Sequence, residues 1–210
     1  MIVVDVICAT SIMIDFFKRG AKKIIPLSNP EDIRYYKKKY PDFLIAGDYH
    51  HEYPDLFDVN IFNRESYDNF NPKGKNIFYI SYNGTRRITE SVNAKAHYLG
   101  SLLNLSALVE EISGKSHEFC FLLAMSKVFG GDEDLAFAEI VIKMLKKEKV
   151  DFKPYFQRIL QSKCALEGTL LLGAPFLIEL ACNVDTTNLI PVSYFDEKLN
   201  MTAVKILSKI

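Results

Sequence analysis

No stretch of this chain approaches about 18 consecutive apolar residues, so a membrane span is not expected. Neither sign of charge is in excess. The 26 lysines and arginines balance 26 aspartates and glutamates, which argues against nucleic acid or an anionic membrane as a partner. The chain opens on a strand-like run, not on a charged region followed by an apolar helix, and no secretory signal is expected. Four cysteines, at 8, 120, 164 and 182, show no CxxC or other metal-type spacing. They read as reduced, mostly buried thiols of a cytoplasmic protein. Neither GxGxxG nor GxxxxGK[ST] occurs, which removes the usual dinucleotide and P-loop fingerprints, and there is no GxSxG elbow. A cysteine-phosphatase loop at Cys8 would need an arginine six residues on, where Ile14 stands, and an aspartyl-phosphate scheme at Asp5 would need a second aspartate at Ile7.

What is present is enough apolar residue, 49% of 210, for a sizeable core. The opening run Ile2-Val3-Val4-Asp5-Val6-Ile7 is β-branched and apolar around one carboxylate, the pattern of a strand buried on both faces with Asp5 inside it. Thr10-Ser11 can cap the amphipathic helix that follows. Further short apolar runs at 23–27, 43–46, 76–82, 96–100 and 119–125 alternate with helical stretches, including 87–94, 102–112 and a long one from Gly130 to about Lys149. The segment Tyr49 to Asn63 reads as a polar, aromatic surface excursion, and Leu189-Ile190-Pro191-Val192 as a last extended piece. No internal repeat or linker interrupts the alternation. The expectation is one domain over residues 1–210, a three-layer α/β/α fold with a mostly parallel central sheet.

Ligands in such sheets bind beyond the carboxyl ends of the strands. Asp48, Asn83, Gly100-Ser101 and Gly130-Gly131-Asp132 all follow apolar runs, and together with Asp5 they suggest one polar site. In Asn83-Gly84-Thr85-Arg86 the glycine lets an anion approach the backbone, Thr85 adds a hydroxyl, and Arg86 could fork onto a phosphate or sulfonate; an ordinary strand-to-helix turn has the same signature. Ser101 through Asn104 repeats the arrangement, as a binding loop or a plain helix cap. The carboxylates Asp132, Glu133 and Asp134 suit a helix start electrostatically and could equally be hard oxygen ligands for Mg²⁺. His50 and His51, adjacent on an extended loop, point apart and are not expected to chelate one ion.

In this order, the motifs resemble those of the 2-phosphosulfolactate phosphatases, Mg²⁺-dependent enzymes associated with coenzyme M synthesis. The family's Asp-Val-Leu-Arg-Ala-Thr-Thr is similar to Asp5 through Ser11; Gly-Glu and Phe-Asp-Leu to Gly47-Asp48 and Phe57-Asp58-Val59. Asn-Gly-Thr-Arg is intact at 83–86 and Gly-Ser-Leu-Leu-Asn at 100–104. Glu133-Asp134, Cys182 to Asp185 and Ile190-Pro191 match later elements. The departures are Cys8 for the family's arginine, Asn60-Ile61-Phe62-Asn63 for its Gly-Asn-Ser-Pro, Asp48 for its glutamate, and Leu177-Ile178 for its Asp-Ile.

The resemblance implies a phosphoric monoester hydrolase acting with Mg²⁺ on a small phosphorylated acid similar to 2-phosphosulfolactate. Asp5 and Asp48, with Glu133 or Asp134, would hold the metal. Asn83 and Arg86, the backbone at Gly84, and the hydroxyls of Thr10, Ser11 and Thr85 would meet the phosphoryl group, with Ser101 and Asn104 on the substrate side. The alternative is a homologue that kept the anion pocket and lost catalysis. A homodimer is expected only because homo-oligomers are common.

Overall fold

A computed structural model describes residues 1–91, 97–114, 118–125, 128, 130–170 and 172–207. Among the described residues there are eight strands: β1 Ile2–Val4, β2 Lys23–Leu27, β3 Leu44–Gly47, β4 Asn76–Ile80, β5 His97–Gly100, β6 Phe121–Leu123, β7 Pro191–Asp196 and β8 Met201–Ile206. The helices are α1 Ala9–Lys18, α2 Ile33–Lys39, α3 Arg64–Asn69, α4 Gly84–Glu90, α5 Leu105–Ser113, α6 Asp132–Leu145, α7 Lys153–Gln161 and α8 Pro175–Ala181. A π-helical segment, Cys164–Leu170, joins α7 to α8. The helix end expected at Ala94 and the strand start expected at Ala96 lie outside the described residues.

All eight strands form one sheet in the order β3-β4-β2-β8-β7-β5-β1-β6. The period-2 alternation of side chains explains how it is covered on both faces. In β4, Ile77 and Tyr79 join one apolar core while Phe78 and Ile80 join another; β2, β3 and β8 split their residues in the same way. Phe16 of α1 meets Tyr79 on the first face, and Tyr36, Tyr40 and Phe43 ring Phe78 on the second.

The α/β class holds, but the sheet is mixed, not mostly parallel. β1 pairs in parallel with β5 and β6, and β4 with β2 and β3. Between these two groups lies an antiparallel hairpin, β7–β8, which pairs antiparallel with β5 on one side and β2 on the other. Its turn is closed by Asn200 at φ 56, a conformation that asparagine tolerates. The expected last extended piece is the first arm of this hairpin. The second arm, Met201–Ile206, has its apolar residues interrupted by Thr202 and Lys205 and does not stand out in sequence, although Ala203 and Val204 are fully buried.

The hairpin also explains how distant strand ends meet. β4 and β1 stand five steps apart, about 24 Å in a flat sheet. Traced along the ladder they run in opposite senses. Twist of roughly 20–25° per strand accumulates to more than about 100° over five steps. The carboxyl ends of β4 and β1 do meet: Gly84, just after β4, lies against Asp5, just after β1.

Two further expectations change. Asp5 is the first residue beyond β1, not within it, and Thr10 and Ser11 lie inside α1, whose preceding residue is Cys8. The 49–63 segment lies at the surface over much of its length, as expected, but Phe57, Val59 and Ile61 turn inward and are buried. No helix among the described residues is long and apolar enough to cross a membrane. All four cysteines are free thiols.

Candidate active site

A cavity of about 110 Å³ lies where the ends of β1, β3, β4 and β6 converge. Roughly 10–15 Å³ accommodates one water, so there is room for several waters or a small ligand. Asp5, Asp48 and Glu133 face it, with Asn83, Tyr82 and Thr169 as neutral polar neighbours.

Each carboxylate is placed by backbone geometry. Asp5 accepts N–H bonds from Ala9 (3.2 Å) and from Gly84. A Cβ at position 84 would stand 2.3 Å from Asp5 Oδ2, so only glycine lets α4 begin this close to the acid. Asp48 follows Gly47, whose φ of 139 and whose approach to the Ile80 carbonyl (1.8 Å for an added Cβ) exclude any side chain. This close approach sets Asp48 Oδ2 3.0 Å from the Tyr82 N–H. Its Oδ1 is shielded from solvent and has no partner. Glu133 enters from the first turn of α6, near Ser162 and Cys164, and its Oε2 is likewise shielded and without a partner.

Burial raises all three acids, and it outweighs the hydrogen bonds that favour their ionised forms. Asp5 rises to about 7, through burial and then the Glu133 charge, against the Ala9 and Gly84 bonds. Asp48 also rises to about 7, through burial and the Asp5 charge, against the Tyr82 bond. Glu133 rises through burial and the neighbouring Asp132 charge. Three acids that resist full ionisation beside one another form a site that a cation would relieve. Among the described residues no three acidic, cysteine or histidine side chains form a ready-made chelate. The donor set does fit a hard cation such as Mg²⁺, which takes one or two carboxylates and keeps much of its water.

The other expected residues sit beside the cavity with their polar atoms engaged. Asp134 is buried, and its Oδ1 accepts from Val6 N (2.8 Å) and its Oδ2 from Ala124 N (3.0 Å), so it ties the ends of β1 and β6 together. Burial, then the Asp5 charge, pushes its pKa well up. Thr10 donates to the Asp5 and Gly100 carbonyls, and Ser11 to the Val6 carbonyl. Thr85 and Ser81 lock their own turn reciprocally. Gly84 lies against the Asp5 carboxylate and stabilises its ionised form. Ser101 and Asn104 form a buried capping box, and Asn104 also donates to the Leu99 and Leu189 carbonyls. Arg86 points outward and pairs with Glu90 at 2.6 Å. These residues build the loops that shape the cavity.

Sequence reasoning did not single out Ile7, Phe62, Tyr82, Ala124, Cys164, Thr169 or Leu172, all of which line the cavity. Cys164 and Thr169 arrive on the π-helical segment, which carries no sequence signature. Phe62 lies in the stretch that reads as a surface loop, and only its run of buried neighbours could have pointed inward.

The 2-phosphosulpholactate phosphatase family model matches residues 1–172. A Caldanaerobacter subterraneus subsp. tengcongensis protein named probable 2-phosphosulfolactate phosphatase is 30% identical over 148 residues, 70% of this chain and 61% of that one. A Thermotoga petrophila protein of the same name is 31% identical over 146 residues, 70% and 62% of the two chains. One from Thermoplasma acidophilum, also so named, is 25% identical over 200 residues, 94% and 87%. The match thus spans about three-fifths of the length of the first two relatives. With a family match over most of its length, the chain belongs to the 2-phosphosulpholactate phosphatase family.

Proposed function

We propose that the protein is a Mg²⁺-dependent phosphoric monoester hydrolase acting on a small phosphorylated acid. The observation that carries this reading is the meeting of Asp5, Asp48 and Glu133 in one cavity, with two shielded carboxylate oxygens left unpartnered. The names of the relatives point to the same chemistry and make 2-phosphosulfolactate the first substrate to test. Asp5 and Glu133, with Asp48 directly or through water, would hold the cation. When bound, Mg²⁺ would polarise the phosphoryl oxygens and offset the negative charge of the site.

The chain's own groups do the rest. The Ala9, Gly84 and Tyr82 N–H groups hold Asp5 and Asp48 in fixed orientations. Asp48 lines the cavity and, with its pKa raised to about 7 by burial, is suited to take a proton from an attacking water. Asn83 offers an amide to a phosphoryl oxygen from the cavity wall.

One observation favours a second reading, a binding protein without catalysis: Arg86, the guanidinium of the intact motif, is turned to solvent and paired with Glu90. Phosphate release from small phosphorylated acids, with and without Mg²⁺, separates the two. Hydrolysis supports the first reading, whereas a ligand-induced rise in melting temperature without release supports the second.

A further inference from the structure

Two shielded polar atoms near the site have no hydrogen-bond partner among the described residues, and they are complementary. Asp48 Oδ1 is an acceptor when ionised, and the hydroxyl of Tyr79 is a donor. Tyr79 is fully buried in β4, where its ring meets Phe16 edge-on. Pairing with β3 sets it opposite Ala46, two residues before Asp48, and both belong to the core on the α1 face of the sheet. The other shielded atoms lack this fit. Asn76 and His97 begin β4 and β5, at the amino ends of those strands, and Glu133 Oε2 is itself an acceptor. Burial, then the Asp48 charge ahead of those of Cys8 and Asp5, pushes the Tyr79 phenol well up, so it keeps its proton and remains a donor. The second oxygen of the same carboxylate, Oδ2, is already held by the Tyr82 N–H at 3.0 Å. A buried oxygen and a buried hydroxyl left apart each cost stability, and one bond between them relieves both.

We infer that Tyr79 is a positioning residue for Asp48: its hydroxyl donates to Oδ1, directly or through one shared water, and with the Tyr82 N–H fixes the plane of the carboxylate. The effect on turnover rests on the phosphatase reading, whereas the bond itself does not. A carboxylate held at one oxygen alone is free to turn, and misplacing a reacting group lowers turnover more than it weakens substrate binding.

The test is a double-mutant cycle of Tyr79→Phe and Asp48→Ala. Tyr79→Phe keeps the ring and its contact with Phe16, so folding is retained. The cycle is run at pH 8 without divalent cation, above the value of about 7 to which Asp48 is raised. Tyr79→Phe is expected to lower the urea midpoint of the otherwise unchanged protein. In the Asp48→Ala background, where the hydroxyl has no acceptor to lose, it leaves the midpoint equal or higher. In Mg²⁺-dependent phosphate release from 2-phospholactate, Tyr79→Phe lowers kcat about tenfold and leaves KM within about twofold. An equal midpoint shift in the two backgrounds overturns the proposal. So does a coupled midpoint with kcat unchanged, because the bond would then hold Asp48 without serving the reaction. If the wild type releases no phosphate, the phosphatase reading fails by itself and the unfolding cycle decides: coupling upholds the positioning of Asp48 by Tyr79, and its absence overturns it.

Discussion

Asp134 and Glu133 are adjacent in sequence and do different work. Glu133 lines the cavity and keeps Oε2 without a partner, whereas Asp134 has both oxygens bonded to the backbone of two strand ends. Asp134→Asn places an amide NH₂ against one of two N–H donors and leaves the other bond intact. The expected cost is about 1–3 kcal/mol of stability, read from denaturant unfolding. Glu133→Gln removes a like charge from beside Asp5 and keeps the backbone ties, so it should leave stability equal or higher while Mg²⁺ affinity falls at least about tenfold by calorimetry. The opposite ranking of the two variants would contradict this division of roles. Gly84→Ala drives a methyl into Asp5 and the Ala9 side chain. It should destabilise by about 1–3 kcal/mol and weaken Mg²⁺ binding at the same time.

At the scale of elements, the β7–β8 hairpin joins two parallel groups that otherwise share no ladder. Val204, fully buried on β8 opposite Ile24, is the point where it grips the β2 side. Val204→Asp should therefore abolish the cooperative melt followed by circular dichroism, because an unpaired carboxylate would sit inside the main core; a variant melting within a few degrees of the wild type would show that the hairpin is dispensable. This element was the least legible in the sequence. Strands flanked by helices, such as Ile24-Ile25 and Ile77 to Ile80, announce themselves by continuous apolar runs. Met201–Ile206 buries only two side chains fully, and nothing local says that it enters the middle of the sheet. The strand ends were legible because Gly47-Asp48 and Asn83-Gly84 carry turn residues directly after apolar runs. Which of their polar atoms reach the cavity was not, because that depends on hydrogen bonds made across long sequence separations, such as Asp134 to Val6.

For the whole molecule, the cluster of acids makes stability depend on pH. Asp5 and Asp48 move from an ordinary 3.8 up to about 7 on folding, so between these values the folded state binds more protons than the unfolded one. Without a divalent cation, stability should therefore fall as pH rises from about 4 through about 7. Added Mg²⁺ should raise the melting temperature more at pH 8 than at pH 5, since only ionised carboxylates bind it. A metal-free protein that gained stability over the same range would contradict the burial of these acids. The meeting of the β1, β3 and β4 ends at one cavity is what concentrates this charge. The most direct measurement is phosphate release from 2-phosphosulfolactate and 2-phospholactate by the wild type and Asp5→Asn, each with Mg²⁺ and with a chelator. The account predicts release only with Mg²⁺ and a loss of at least about a hundredfold in Asp5→Asn. Release that survives the chelator, or an Asp5→Asn variant as active as the wild type, would contradict it.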